Sequence, residues 1–134
     1  FFDVIDGYYA RKYNMQSTNI ISTKEVAKRT AGGDSYIRTK DGLVMGIAIT
    51  KKKNPKAPSI ITVSKGPFIV KNAELLANTK TPVPVYLKLG TNQWLYKGKY
   101  KVFNYSLDKA DIEEYHGSRE IEEIHGILFL EKEV

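Results

Sequence analysis

The chain has 134 residues, a formal net charge of +6 and no cysteine. That length bounds it to one domain, spanning 1–134, with a core large enough to fold without covalent staples. The missing cysteines exclude disulfide scaffolds, thiolate zinc sites and thiol catalysis. The longest apolar stretches, 42–49 and 124–130, fall well short of the roughly 18–20 residues a membrane-spanning helix needs. The chain begins at Phe1 with no basic-then-apolar leader, so it reads as a domain of a longer protein, expected in the cytoplasm.

Charge is unevenly spread along the chain. Residues 1–107 carry 18 basic and 6 acidic side chains, whereas 108–134 carry 3 basic and 9 acidic. A body this positive is the electrostatic footprint of a polyanion binder.

In chain order, a short apolar opening ends at Asp6-Gly7, and Tyr8 to Tyr13 then mix aromatics with cations. Ser22 stands three residues before Glu25, the spacing of a capping box, which predicts a short helix stopped by Gly32-Gly33. The pattern then turns to strands. Residues 35–38 lead through the hairpin dipeptide Asp41-Gly42 into the apolar run 43–49, expected to be buried on both faces. Residues 51–58 hold four lysines and two prolines and form an exposed loop. A β-branched strand at 59–63 follows, broken by Gly66-Pro67, and then a second helix over 71–78. Residues 82–89 alternate like a half-buried strand, with Pro82 and Pro84 placing it at an edge or at strand-starting positions. Two strands at 94–96 and 100–105 are expected either side of Lys97-Gly98-Lys99. The acidic stretch 108–123 reads as a polar insertion or short helix, and 127–130 as a closing strand. The sum is an α+β domain, a small curved β-sheet or β-barrel, mostly antiparallel, with two short helices.

Catalysis has little support. His116 and His125 sit in similar acidic contexts nine residues apart, and a small metal-dependent nuclease is the enzyme reading they allow. No nucleophile, Walker or zinc-protease motif occurs, so no catalytic residue, metal site or cofactor is assigned. Binding has more. Aromatic faces stack on unpaired bases while cations meet phosphates. Tyr9 lies beside Arg11 and Lys12, and Trp94 and Tyr96 beside Lys97. Tyr36, Tyr86 and Tyr100 are expected in the core. Lys51, Lys52, Lys53 and Lys56 project from a loop between two strands as a phosphate-facing cluster.

The succession Gly42-Leu43-Val44-Met45, Ile61-Thr62-Val63-Ser64-Lys65-Gly66, Asn72-Ala73-Glu74-Leu75-Leu76-Ala77, Thr81-Pro82-Val83-Pro84-Val85 and Trp94 to Val102 resembles the SRA (YDG) domain, a PUA-like β-barrel that reads modified bases in DNA. The family's Asn-x-Ala-Leu helix, "tPVrV" strand and "YdGlYkV" strand find counterparts at Asn72, at 82–85 and at 96–102. The likeness covers about residues 42–106 and the closing strand. Two departures are plain: Lys97 replaces the YDG aspartate, and residues 50–56 hold neither the tyrosine nor the acids that cradle a flipped methylcytosine in eukaryotic members. The closer resemblance is to recognition modules of modification-dependent restriction systems, in which a separate nuclease or NTPase domain acts.

The resemblance therefore implies a double-stranded DNA-binding domain without catalysis of its own. It would flip a modified base into an aromatic pocket and target a restriction or other effector domain. Arg11, Lys12, Lys51, Lys52, Lys53, Lys56, Lys65 and Lys97 would meet phosphates. Tyr9, Phe68, Trp94 and Tyr96 would stack, with Asn72 beside them. The alternative is an RNA-binding PUA-like module. The acidic segment 108–123 is expected to lie away from the nucleic-acid face, since carboxylates repel phosphates.

Overall fold

Alternation of Val83, Val85, Leu87 and Leu89 with more polar neighbours places a strand at the middle of a seven-stranded sheet. The computed structural model describes residues 20–33 and 35–134. Its strands are β1 (Ile20–Ile21), β2 (Ile37–Lys40), β3 (Leu43–Ile49), β4 (Ile60–Ser64), β5 (Val83–Gly90), β6 (Gln93–Ser106) and β7 (Ile124–Lys132). Helices α1 (Thr23–Thr30), α2 (Pro67–Ala77) and α3 (Lys109–Tyr115) and a 3₁₀ turn at Ile121–Glu123 join them. The expected element at Phe1–Tyr13 lies outside the described residues.

The sheet runs β2-β3-β5-β6-β7-β4, with β1 paired to the start of β6. Every neighbouring pair is antiparallel except β3 with β5, which are parallel from Ile47–Val85 to Ile49–Leu87. Strand β5 is therefore interior, and Pro84 precedes the first of its pairs with β3. The hairpin at Asp41-Gly42 is as its sequence predicts, with φ of 54° and 80°. The run 43–49 is buried only in its second half; Leu43 is 67% exposed.

Lys97-Gly98-Lys99 does not separate two strands, contrary to expectation. Strand β6 runs unbroken through it, because Gly98 takes φ 106° and the register shifts there against β5. A bulge thus replaces a turn, and only glycine adopts that backbone without strain. Helix α1 starts at the expected cap: the Ser22 hydroxyl accepts from Glu25 N–H at 3.1 Å. The reciprocal half of the box is absent, since the Glu25 carboxylate takes the Arg29 guanidinium at 2.8 Å instead. Helix α2 begins four residues earlier than predicted, with Pro67 in its first turn, where no amide donor is needed.

The sheet curls around α2. This helix packs against both terminal strands, β2 and β4, as well as β3, β6 and β7. Ala73 and Leu76 meet Ile37, Ile47, Ile61, Val63, Val85, Leu128 and Leu130 in the main core. On the outer face, α1 covers Ala48, Tyr86 and Trp94 through Val26. Gly46 lets α1 approach, because a Cβ there would stand 2.7 Å from Thr30 Cγ2 and 3.0 Å from the Pro84 carbonyl oxygen. Helix α3 covers Ile124 and Ile127 through Ile112.

The two sheet edges do not pair with each other; side chains join them. Thr62 of edge strand β4 gives its N–H and its hydroxyl to Asn54 Oδ1, at 2.7 and 2.8 Å. Its carbonyl accepts the Tyr36 hydroxyl at 2.6 Å, from the residue preceding the other edge strand. Its hydroxyl oxygen also accepts Arg119 Nε at 3.0 Å. Groups that an edge would leave open are thereby satisfied.

The seam and its surroundings set the expected cost of three substitutions. Asn54→Ala strands two buried donors of Thr62 and is expected to cost about 2–3 kcal/mol, while Tyr36→Phe costs about 1 kcal/mol. Urea unfolding measures both, and the pair should depart from additivity because both act through Thr62. The Tyr105 hydroxyl is buried with no hydrogen-bond partner among the described residues. Tyr105→Phe is accordingly expected to raise stability by about 1 kcal/mol in a thermal melt; a fall would mean the hydroxyl is satisfied.

Candidate nucleic-acid interface

The seam positions three segments around one cavity of about 370 Å³. Parallel strands β3 and β5 both end at its rim, supplying Ala48, Ile49, Thr50 and Lys88. Tyr36 and Arg38 come from the start of β2, Lys53 and Asn54 from the lysine loop, and Arg119 from the acidic segment. Trp94 at the head of β6 and Thr23 at the head of α1 complete the wall.

Each of these groups is held. Trp94 is 6% exposed, its indole N–H donates to Thr23 Oγ1 at 2.9 Å, and the Lys88 ammonium lies 5.7 Å from its ring centroid. Arg38 is nearly buried, with Nη1 donating to the Ala31 carbonyl at 3.0 Å and Nε to that of Ser35. Burial pushes the Tyr36 phenol well above its usual range, so it stays protonated and serves as donor to Thr62. Among the described residues the lining holds four cations, Arg38, Lys53, Lys88 and Arg119, and no carboxylate. Four like charges around one concavity raise its potential and favour an anionic or acceptor-rich occupant.

A smaller cavity of about 210 Å³ lies on the other side of the loop, lined by Asn54, Pro55, Lys56, Ile60, Tyr115 and His116, with Glu114 at its wall. Lys56 stands over the Tyr115 ring at 5.7 Å. His116 Nδ1 donates to the Arg119 carbonyl at 2.9 Å. No group of three or more histidine, aspartate or glutamate side chains among the described residues could hold a metal ion.

The sequence-predicted site residues fall into separate places. Tyr9, Arg11 and Lys12 lie outside the described residues. Lys51, Lys52 and Lys53 are exposed at the loop, and of these Lys53 reaches the large cavity. Trp94 reaches it from beneath as part of a packed wall. Tyr96 lies instead against Tyr86, ring centroids 5.3 Å apart, beside the α1 cluster. Lys97 is half-buried at the bulge. Lys65 is exposed just beyond β4, Phe68 is 83% exposed on the first turn of α2, and Asn72 is half-buried along that helix. None of these last five lines either cavity. Tyr86 and Tyr100 are core residues, as expected.

Tyr36, Arg38, Asn54, Lys88 and Arg119 were not among the predicted residues. Arg119 carried the one available signal, a cation isolated in an acidic stretch. That stretch does not lie apart from the lysine loop, contrary to expectation. Gly117 is so close that a Cβ would stand 3.2 Å from the Lys53 carbonyl oxygen and 3.1 Å from Pro55 Cδ. Tertiary packing overrides the charge argument here, because the segment brings its own arginine.

No protein-family model matches the sequence, and no curated protein matches it. Among solved structures, the fold is similar to the SRA domain of SUVH5 in complex with hemimethylated CG DNA. That match has a TM-score of 0.55 and 16% identity over 84% of this chain and 83% of the other. A second structure of the SUVH5 SRA domain, with methylated CHH DNA, matches with a TM-score of 0.51 and 17% identity over 83% and 82%. The chain thus has an SRA-like α+β fold, a curled mixed sheet wrapped on one helix.

Proposed function

We propose that this domain binds double-stranded DNA and receives an extruded, modified base in the large cavity, directing an effector domain of its parent protein to the site. The observation that carries the reading is the cavity itself: four cations and, among the described residues, no carboxylate around a concavity walled by a fixed tryptophan. Its volume of about 370 Å³ lies within the range of small-molecule sites. The DNA named in the complexes of its structural neighbours supports the same class of partner.

The mechanism divides between two sets of residues. Lys51, Lys52 and Lys53 neutralise phosphates and fix the duplex without reading sequence. Flipping a base costs a few kcal/mol, least when the base is mismatched or damaged, and cavity contacts must offset it. Lys53 belongs to both sets, since its loop reaches the cavity wall. Recognition is assigned to this domain and strand cleavage to the effector.

A salt series on a short duplex tests the reading. The logarithm of the binding constant is expected to fall steeply with log salt, by about 0.9 per neutralised phosphate. Replacing Lys51, Lys52 and Lys53 together by alanine should flatten that slope by about 2–3. An unchanged slope removes the loop from the interface. Tighter binding to a matched RNA duplex or single strand than to DNA would replace this reading with RNA recognition.

A further inference from the structure

One buried amide in the cavity wall has a polar group left over. Asn54 is 4% exposed. Its Oδ1 accepts from the Thr62 backbone N–H, and that donor fixes which end of the amide is oxygen. A second bond from the Thr62 hydroxyl completes the oxygen's two lone pairs. The Nδ2 group, with two hydrogens to donate, meets no acceptor among the described residues, yet it is not sealed from solvent. It can therefore reach an acceptor only in the cavities that Asn54 lines.

Among the described residues, the other charged groups around the large cavity have the same polarity. Arg38, Lys53, Lys88 and Arg119 can only donate. The Tyr36 hydroxyl spends its proton on the Thr62 carbonyl and keeps only weak acceptor capacity, and the Thr23 hydroxyl oxygen accepts from Trp94 while retaining its own proton to donate. Bases differ in this respect. On the edge remote from the sugar, which leads into a pocket when a base is extruded, thymine and guanine carry a carbonyl, whereas cytosine and adenine carry an amino donor. A site built to hydrogen-bond one such group rejects the analogue that leaves its own polar group unpaired.

We infer that the cavity selects a base bearing a carbonyl on that leading edge, with Asn54 Nδ2 as the discriminating donor. The inference rests on the proposed reading of the cavity as a base pocket. An amino base would set its donor against Asn54 and the cations together. A carbonyl, or a modification that adds further acceptors, would satisfy them.

The probes are short duplexes identical except for one central base opposite an abasic site, so that extrusion breaks no base pair. Thymine and uracil are compared with cytosine and 5-methylcytosine, which have similar ring size and differ in the polarity of the edge. The thymine and uracil duplexes are expected to bind roughly tenfold more tightly at one salt concentration. Asn54→Asp keeps both bonds from Thr62 and exchanges the free donor for an acceptor, so the order should reverse in favour of cytosine. Equal binding of all four duplexes by the natural protein overturns the inference, and that arm stands even if the variant does not fold. A folded Asn54→Asp, shown by an unchanged melt, that weakens all four equally overturns it too. Salt-dependent binding that ignores the central base leaves the DNA reading standing and removes only the base selection. No binding to any duplex removes both.

Discussion

Four hydrogen bonds at Thr62 hold together what the backbone of this sheet leaves open. A curled sheet that stops short of closure presents two edges, each a row of unpaired donors and acceptors. Here the residue preceding β2 and the middle of β4 meet through the Tyr36 hydroxyl, and Asn54 caps the same edge from the loop side. The partners come from three different stretches of chain: the start of β2, the lysine loop, and the turn after α3. Those same stretches bear Arg38, Lys53 and Arg119. Closing the fold and placing the cations are one event, so the cavity's charges are positioned by the fold itself.

That arrangement has an electrostatic consequence. Four cations line one concavity, and no carboxylate among the described residues lines it with them, so its potential is raised. The opposite wall is kept rigid by different means. Trp94 is fixed by its bond to Thr23 and by packing against Val26, Ala48 and Tyr86. A side chain locked this way loses little freedom on binding, which favours affinity.

The elements that local patterning governs were legible in the sequence. The cap at Ser22, the Asp41-Gly42 hairpin and the alternation of β5 depend on residues close in the chain. The reading failed where a distant partner decides. Gly98 looked like a turn because Lys97-Gly98-Lys99 is polar and flexible, yet β5, and β7 beyond it, hold the strand straight through it as a bulge. Pro82 and Pro84 fitted either an edge or strand-starting positions, and only the pairing of β3, which begins after Pro84, decides for the second. The acidic stretch looked set apart because its net charge was summed without asking where its single arginine goes.

The site was less legible than the fold, for a reason visible in where the recognisable residues lie. Asn72, Pro82 to Val85 and Tyr96 to Val102 lie in or beside α2, β5 and β6, and none of them lines the cavity at the seam, although Pro82 to Pro84 line a larger apolar groove of about 540 Å³ beside Leu43 and Met45. Gly98 is needed for its backbone angle and Val83, Val85 and Tyr100 for the core. Such positions tolerate few replacements, because packing and φ leave little choice. Cavity residues face no such limit and can change with the ligand. At 16–17% identity a likeness therefore survives in the scaffold and says little about the base. What the pocket prefers has to be argued from which of its polar groups are spent within the fold and which remain, and at Asn54 the oxygen is spent while the nitrogen remains.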